Sequence, residues 1–416
     1  MNSEFTKVCM VGLGYIGLPT AAIMASRGLK VVGVDVNQEA INIINEGKVH
    51  IVEPDLDIVV RSVVTTGNLR ATNQAEPADA FLIAVPTPFK DDHVPDLSFI
   101  RSAAETIAPS LETGNLIVLE STSPVGTTEK LAEWLAEYRT DLSFPREEGD
   151  NADVQIAYCP ERVLPGYVLQ ELVNNDRIIG GISSICSERA ASLYKIFVKG
   201  ECLLTTARTA ELCKLTENAY RDTNIAFANE MSLVCDRLDV NVWELIELSN
   251  RHPRVDILQP GPGVGGHCIA VDPWFLVDSA PEATRLIRTS REVNDSKPDY
   301  VISKIKEKAD RLIRPCVAFL GLAFKANIDD LRESPALDIV RSFAVNQDIE
   351  IMIVEPNITE IPSSLAELKN VKLVDTLSAI KSSDIVVGLV DHDEFKSIKK
   401  EYFNEKILID TRGIWR

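Results

Sequence analysis

The sequence is poor in the features that would tie it to a metal, a membrane or a nucleic acid. None of its eight cysteines stands in a C-x-x-C pair, which removes the usual thiolate clamp for zinc and the usual redox dithiol. Scattered at 9, 159, 186, 202, 213, 235, 268 and 316, they read as separate thiols of a reducing cytoplasm. Long apolar runs are lacking too. No stretch reaches the ~20 residues that span a bilayer, and the opening MNSEFTK leads straight into VCMVGLGYIG, so neither secretion nor membrane insertion is expected. Positive charge is scarce: 43 Lys and Arg face 62 Asp and Glu, a formal charge of −19. That field repels phosphate at long range, which argues against nucleic acid or an anionic membrane as a partner. Any phosphate-bearing ligand must be held by local groups.

What is present is enough apolar residue, 45% of 416, for two or three domains with substantial cores. Residues 5–12 form a β-branched strand pattern that ends in GLGYIG at 12–17, a helix-like stretch runs to Gly28, and a second strand covers 30–35. Apolar runs bounded by turn residues recur at 79–88, 115–124, 153–161 and 176–181, with helix-length segments between several of them. Strand alternating with helix predicts an α/β fold, a parallel sheet covered on both faces. Residues 209–239 contain no Gly or Pro and carry apolar residues at helical spacing. They predict one long, buried helix of roughly 45 Å. Strand patterns return at 316–322, 349–356, 384–392 and 406–413, so a second nucleotide-binding-type α/β domain follows the helix.

Gly12-x-Gly14-x-x-Gly17 lies between the first strand and the first helix. There it provides a tight turn, close approach of a pyrophosphate and packing of helix on sheet. Asp35 closes the second strand, 18 residues after Gly17. A carboxylate there accepts from both ribose hydroxyls and repels a 2′-phosphate, which favours NAD over NADP. FAD can use the same turn, but no second flavin signature accompanies it.

The run GPGVGGHCIAVDP at 261–273 holds one strong nucleophile, Cys268. Glycines at 265 and 266 would let a substrate come close, His267 or a nearby Lys could lower the thiol pKa, and Asp272 could act as a base or orienting group. A metal held by His267, Cys268 and Asp272 lacks a further ligand cluster, so no metal is expected. On the long helix, Lys214, Asn218 and Arg221 stand at i, i+4 and i+7 and share one face. Together with NAD, a nucleophilic cysteine suggests a particular chemistry. One hydride transfer makes an aldehyde, the thiolate traps it, a second hydride transfer gives a thioester, and water releases an acid. Lys214 and Asn218 could stabilise the oxyanions on that path.

Several stretches in order, VGLGYIGLP, ESTSPVGTT, YCPERVLPG, KLTEN at 214–218, GGHCIAVDP and FLGLAFKANIDDLRESPA at 319–336, resemble the UDP-glucose/GDP-mannose dehydrogenase family over essentially the whole chain. The resemblance implies two Rossmann-like, doubly wound domains joined by a long central helix. An NAD-binding domain would cover 1–205, a helical dimerisation region with the cysteine loop 206–300, and a UDP-sugar domain 301–416. It also implies roles. Cys268 would be the nucleophile and Lys214 the oxyanion stabiliser or general acid/base. Asn218 and Asp272 would handle protons and water, and Thr122 and Glu161 would face the reacting carbon. Gly12, Gly14, Tyr15, Ile16, Gly17, Asp35, Thr87 and Arg332 would hold NAD. Arg162, Val163, Lys214, Asn218, Arg221, Gly265, Phe324 and Lys325 would contact the nucleotide sugar, with Arg412 at its UDP end. His252 and Arg254 would reach it from the partner subunit of a homodimer.

The UDP-glucose branch reads GGSCFPKD where this chain has GGHCIAVDP, and PEFLxEG where it has PERVLPG, so Pro165 replaces a second glutamate. These variants resemble the branch that oxidises UDP-N-acetylhexosamines at C6, and the N-acetyl-D-mannosamine epimer is implied by resemblance alone. Three alternatives stay open on the residues themselves: oxidation of the N-acetyl-D-glucosamine epimer, a two-electron dehydrogenase, and a catalytically silent nucleotide-binding protein.

Overall fold

The computed structural model describes residues 4–90, 93–164, 166–266, 268–345 and 349–416. It divides into two compact units, Met1–Thr216 and Glu217–Arg416. In the first, one sheet is built from β1 (Lys7–Val11), β2 (Lys30–Val34), β3 (Leu69–Thr72), β4 (Ala80–Ile83), β5 (Leu116–Leu119), β6 (Gln155–Tyr158), β7 (Arg177–Gly181) and β8 (Cys202–Thr206). Their order is β3-β2-β1-β4-β5-β6-β7-β8. Alternate side chains leave each strand for opposite faces. Val8, Met10 and Leu82 pack with Ala21, Ala22 and Met24 of the helix Gly17–Ser26. Cys9, Val11, Phe81 and Ile83 pack with Ile100 and Ala104 on the other side. Because both faces are covered, the strands read as nearly continuous apolar runs.

One pairing departs from the parallel expectation. β7 runs antiparallel to β6, with Ala157 opposite Gly181 and Tyr158 opposite Gly180. The connection from β6 stays at its carboxyl end and does not cross back over a face, so the chain must enter β7 in the opposite sense. As a result Arg177, the first residue of β7, starts beside the segment that leaves β6.

The second unit has a five-stranded parallel sheet: β9 (Cys316–Leu320), β10 (Glu350–Val354), β11 (Val371–Leu373), β12 (Ile385–Gly388) and β13 (Ile407–Asp410), in the order β11-β10-β9-β12-β13. Val317, Phe319, Ile351 and Ile353 pack with Ile305 and Phe343 on one face. Ala318, Leu320 and Val386 pack with Phe395 and Trp415 on the other. In each sheet the strand order turns back beside the first strand, between β1 and β4 and between β9 and β12. Ligands bind at the carboxyl ends of strands at such points.

The long helix is Ala207–Leu238, and the division between the units falls within it. Its apolar content predicts burial along its length, and the structure differs. Tyr220, Phe227 and Val234 are exposed, and their seven-residue spacing keeps one stripe turned away from the chain's own core. In the second unit the helix is held from its opposite side by buried polar groups. Arg291 pairs with Asp222, and Asn294 donates to the Asp222 carboxylate at 2.8 Å. Among the described residues no helix is long and apolar enough to cross a membrane.

Candidate active site

At the carboxyl end of β1 the chain turns through Gly12, at φ +92°, where a Cβ would lie 2.4 Å from the Ala84 carbonyl oxygen. At Gly17 a Cβ would lie 1.9 Å from the Gly12 oxygen, so this residue lets the helix start directly under the turn. Gly14 is different. It is exposed and a Cβ there would meet nothing within 4 Å, which leaves the backbone open to a ligand. Tyr15 is also exposed, and Ile16 is half-buried. Asp35 follows β2, and its carboxylate accepts from the backbone N–H of Leu13 at 2.8 Å and of Asn37 at 2.9 Å. Each carboxylate oxygen holds one protein donor and keeps a lone pair for a ribose hydroxyl. These residues fit a dinucleotide at the helix N-terminus.

The loops after β4, β5 and β6 leave the same carboxyl end of the sheet, since these strands run parallel to β1. Thr87 donates its hydroxyl to the Thr122 carbonyl at 2.7 Å, and the Ser121 hydroxyl bridges the Val85 N–H and carbonyl. Glu161 is buried; its carboxylate takes the Arg177 guanidinium at 2.7 Å and the Arg162 N–H at 2.6 Å. Arg177 is itself buried and lies over the Tyr194 ring. The reversal of β7 delivers it there. Beside this pair Glu120 accepts from the Tyr194 hydroxyl at 2.5 Å, and burial pushes the Glu120 carboxyl up to about 7. Arg162 and Val163 are half-buried on the same loop.

In the second unit Cys268 is the exposed one among the eight cysteines, none of which is in a disulfide. Its carbonyl accepts from the Asp272 N–H at 2.9 Å, so the thiol-bearing turn leads into the helix Asp272–Ser279. The buried Asp272 carboxylate takes the Asn218 side-chain amide at 2.6 Å. Asn218 is half-buried and Arg221 exposed. Lys214, half-buried, stands one turn earlier on the helix and belongs to the first unit. His267 lies outside the described residues. The glycines before it serve the chain's own packing. A Cβ at Gly265 would lie 2.2 Å from the Glu333 oxygen, one at Gly266 3.0 Å from the Phe324 ring, and one at Gly263 2.8 Å from Pro335.

That packing closes one side of a shallow cleft at the carboxyl ends of β9, β12 and β13. Phe324, Lys325, Asp391 and Arg412 line it. Arg412 is oriented by Asp391, at 2.9 and 3.1 Å. Two cations and an aromatic ring in one cleft suit a nucleotide with a diphosphate. His252 and Arg254 are exposed on a loop outside that lining, and Arg332 is exposed and grips Asp330 through two hydrogen bonds. Arg332 lies in the second unit, whereas the other expected cofactor residues lie in the first.

Comparison with known proteins decides what these parts belong to. Residues 6–198 match the NAD binding domain of the UDP-glucose/GDP-mannose dehydrogenase family, 208–296 its central domain and 318–416 its UDP binding domain. The chain belongs to this family. It is 60% identical over 415 residues to an NDP-N-acetyl-D-galactosaminuronic acid dehydrogenase of Ralstonia nicotianae, covering 100% of this chain and 97% of the relative. It is also 60% identical to a UDP-N-acetyl-D-mannosamine dehydrogenase of Campylobacter jejuni, over 96% and 98% of the two chains. Among solved structures, a UDP-D-ManNAc dehydrogenase from Pyrococcus horikoshii superposes with a TM-score of 0.88 at 40% identity, over 99% and 96%. The chain is therefore an NAD-dependent nucleotide-sugar dehydrogenase.

In this dehydrogenase, residues that motif reading missed hold the motifs in place. Glu211 of the long helix, fully buried, accepts from the Gly126 N–H, the Thr128 N–H and the Thr128 hydroxyl at 2.6–2.8 Å. It thereby caps the helix after the Thr122 loop. Glu53 accepts from the N–H groups of Gly166 and Val168, behind the Glu161 loop. Asn224 and Asn250 bind the backbone of Asp256, Ile257 and Leu258, and Asn229 accepts from the Gly261 N–H. Each side-chain amide substitutes for a strand neighbour. No spacing signal marks them, because their partners lie 7 to 115 residues away.

Proposed function

We propose that the chain oxidises UDP-N-acetyl-D-mannosamine at C6 to the uronate, using two NAD⁺ per sugar. The observation that carries this reading is that Cys268 is exposed while the other cysteines are buried or half-buried, and that it leads directly into the Asn218–Asp272 pair. NAD supplies the hydride acceptor. Oxidation of the C6 alcohol releases a proton and gives an aldehyde, and the Cys268 thiolate adds to its carbon as a thiohemiacetal. Loss of a second hydride leaves a thioester. Water then attacks, the C–S bond breaks, and the carboxylate leaves with the thiolate restored. Lys214 and Asn218 stabilise the tetrahedral oxyanions, Asp272 orients Asn218 and accepts a proton from water, and Thr122 and Glu161 position that water.

The nucleotide half of the substrate is assigned to Phe324, Lys325 and Arg412, with Arg162, Val163, Arg221 and Gly265 toward the sugar. His252 and Arg254 act from a partner subunit. The exposed stripe of Tyr220, Phe227 and Val234 supports a homodimer, and eight cysteines outside any disulfide suit the reducing cytoplasm. A second reading, oxidation of the N-acetyl-D-galactosamine epimer, is favoured by the name of the Ralstonia relative. The test is NADH yield per mole of limiting UDP-ManNAc, UDP-GalNAc and UDP-GlcNAc. Two NADH from the first alone is expected. Two from another epimer corrects the substrate, and one NADH removes the four-electron path. Cys268→Ala should lower acid formation about a thousandfold or more while leaving UDP-sugar affinity within about threefold.

A further inference from the structure

Resting on the reading that the second-unit cleft takes the uridine nucleotide, we propose that the segment Asp391-His392-Asp393 is its positioning element. His392 and Asp393 hold the Phe324–Lys325 loop, and Asp391 holds Arg412. His392 is buried, 1% exposed, and both ring nitrogens are used. Nδ1 faces the Asn327 N–H at 2.9 Å. A backbone N–H can only donate, so Nδ1 is the acceptor and Nε2 carries the proton. Nε2 therefore donates to Glu355, at 3.1 Å.

Glu355 in turn is occupied by the chain itself. Oε2 accepts from the N–H groups of Leu322 and Ala323 at 2.8 and 3.0 Å, and Oε1 accepts from Asn357 at 3.2 Å. Phe324 and Lys325 are thus bracketed: residues 322 and 323 are fixed through Glu355, and 327 through His392. Asn327 sits at φ +62°, a conformation a non-glycine residue holds only when its surroundings impose it. Asp393 helps impose it, accepting from the Asn327 amide at 2.9 Å and donating its N–H to the Asn327 oxygen at 3.0 Å. Two residues before it, Asp391 grips Arg412. Three consecutive residues so govern the ring and both cations of the cleft.

The test measures UDP and NAD dissociation constants by titration calorimetry on the full chain and on His392→Gln, His392→Asn and Asp393→Ala. Glutamine can reach Glu355 but offers no acceptor at the Nδ1 position, whereas asparagine does. We expect His392→Gln to weaken UDP about tenfold, as loss of one net hydrogen bond and loop order implies, with NAD affinity within about twofold. His392→Asn should recover most of the loss. Asp393 is exposed, so Asp393→Ala leaves the core intact, and it should weaken UDP about threefold. Unchanged UDP affinity in His392→Gln and Asp393→Ala overturns the proposal. A parallel loss of UDP and NAD affinity also overturns it, because the role would then be general stability. Failure of the unsubstituted chain to bind UDP instead overturns the substrate reading beneath it.

Discussion

The two units contain the same turn put to opposite uses. GLGYIG at 12–17 and GLAFKA at 321–326 each follow the first strand of a sheet. Gly12 and Gly321 share a left-handed φ, +92° and +96°. Each donates its N–H at 2.8 Å to the last residue of the neighbouring strand, Val34 or Val354. In each, the next residue donates at 2.8 Å to an acidic side chain just beyond that strand, Asp35 or Glu355. Past that point the two turns diverge. Gly14 is open, whereas Ala323 is buried. Gly17 begins a helix at once, whereas the helix after Ala326 starts only at Pro335. Asp35 retains lone pairs for a ligand, and Glu355 spends them on His392 and Asn357. A shared turn thus does not determine a shared ligand; the helix start and the fate of one carboxylate do.

The most damaging test of this contrast is Gly17→Ala. The new methyl has no room beside the Gly12 oxygen, so we expect about 3 kcal/mol of lost stability in the first unit and no measurable NAD binding. The matching Ala326→Gly lies in a turn and should cost only about 0.4–1 kcal/mol, through the greater freedom of the unfolded chain. Calorimetric melting with and without NAD reads both.

A second test contrasts the buried carboxylates. Glu355 has several donors and is held below the ordinary carboxylate value: burial alone would push it up, but the His392 and backbone N–H groups outweigh that. Its stabilisation is present above the ordinary value and is lost on acidification below it. Glu120 has the Tyr194 hydroxyl as its one donor among the described residues, and burial pushes it from 4.5 up to about 7. Between those two values the unfolded chain releases a proton that the folded chain keeps, so stability falls as pH rises. The loss is on the order of 3 kcal/mol. Glu120→Gln should flatten that slope in urea unfolding at pH 5 and pH 8; an unchanged slope means Glu120 ionises normally.

The smallest effect sharpens the cofactor side. Asp35→Ala should weaken NAD about tenfold, roughly 1.4 kcal/mol, and relax discrimination against NADP. If the NAD:NADP preference survives, the carboxylate does not contact the ribose.

Which features can be read from the sequence depends on range. The glycine turn, Asp35 and the long helix are local patterns, and each of the strands expected at 30–35, 79–88 and 384–392 contains one strand of the fold, β2, β4 and β12. β3, β8 and β11 are not visible: they have three to five residues and lie toward or at the sheet edges, where one strand neighbour or partial burial suffices and no long apolar run is needed. The antiparallel sense of β7 is likewise invisible, since RIIGG reads the same in either direction of pairing. At the site, motifs mark Cys268, Glu161 and Phe324, but not Arg177, Glu211 or His392, whose partners are fixed only by the tertiary fold. The glycines before Cys268 suggest room for a substrate in the sequence, but Glu333, Phe324 and Pro335 already occupy the space beside them.

The exposure of Cys268 has a practical consequence. With most other thiols withdrawn from solvent and burial pushing Cys9 and Cys159 up to about 12, a gentle alkylating reagent meets one readily reachable sulfur per chain. Mass gained by the native protein then counts chains whose other thiols are still folded away, and a preparation can be standardised by its one exposed sulfur without any substrate being added.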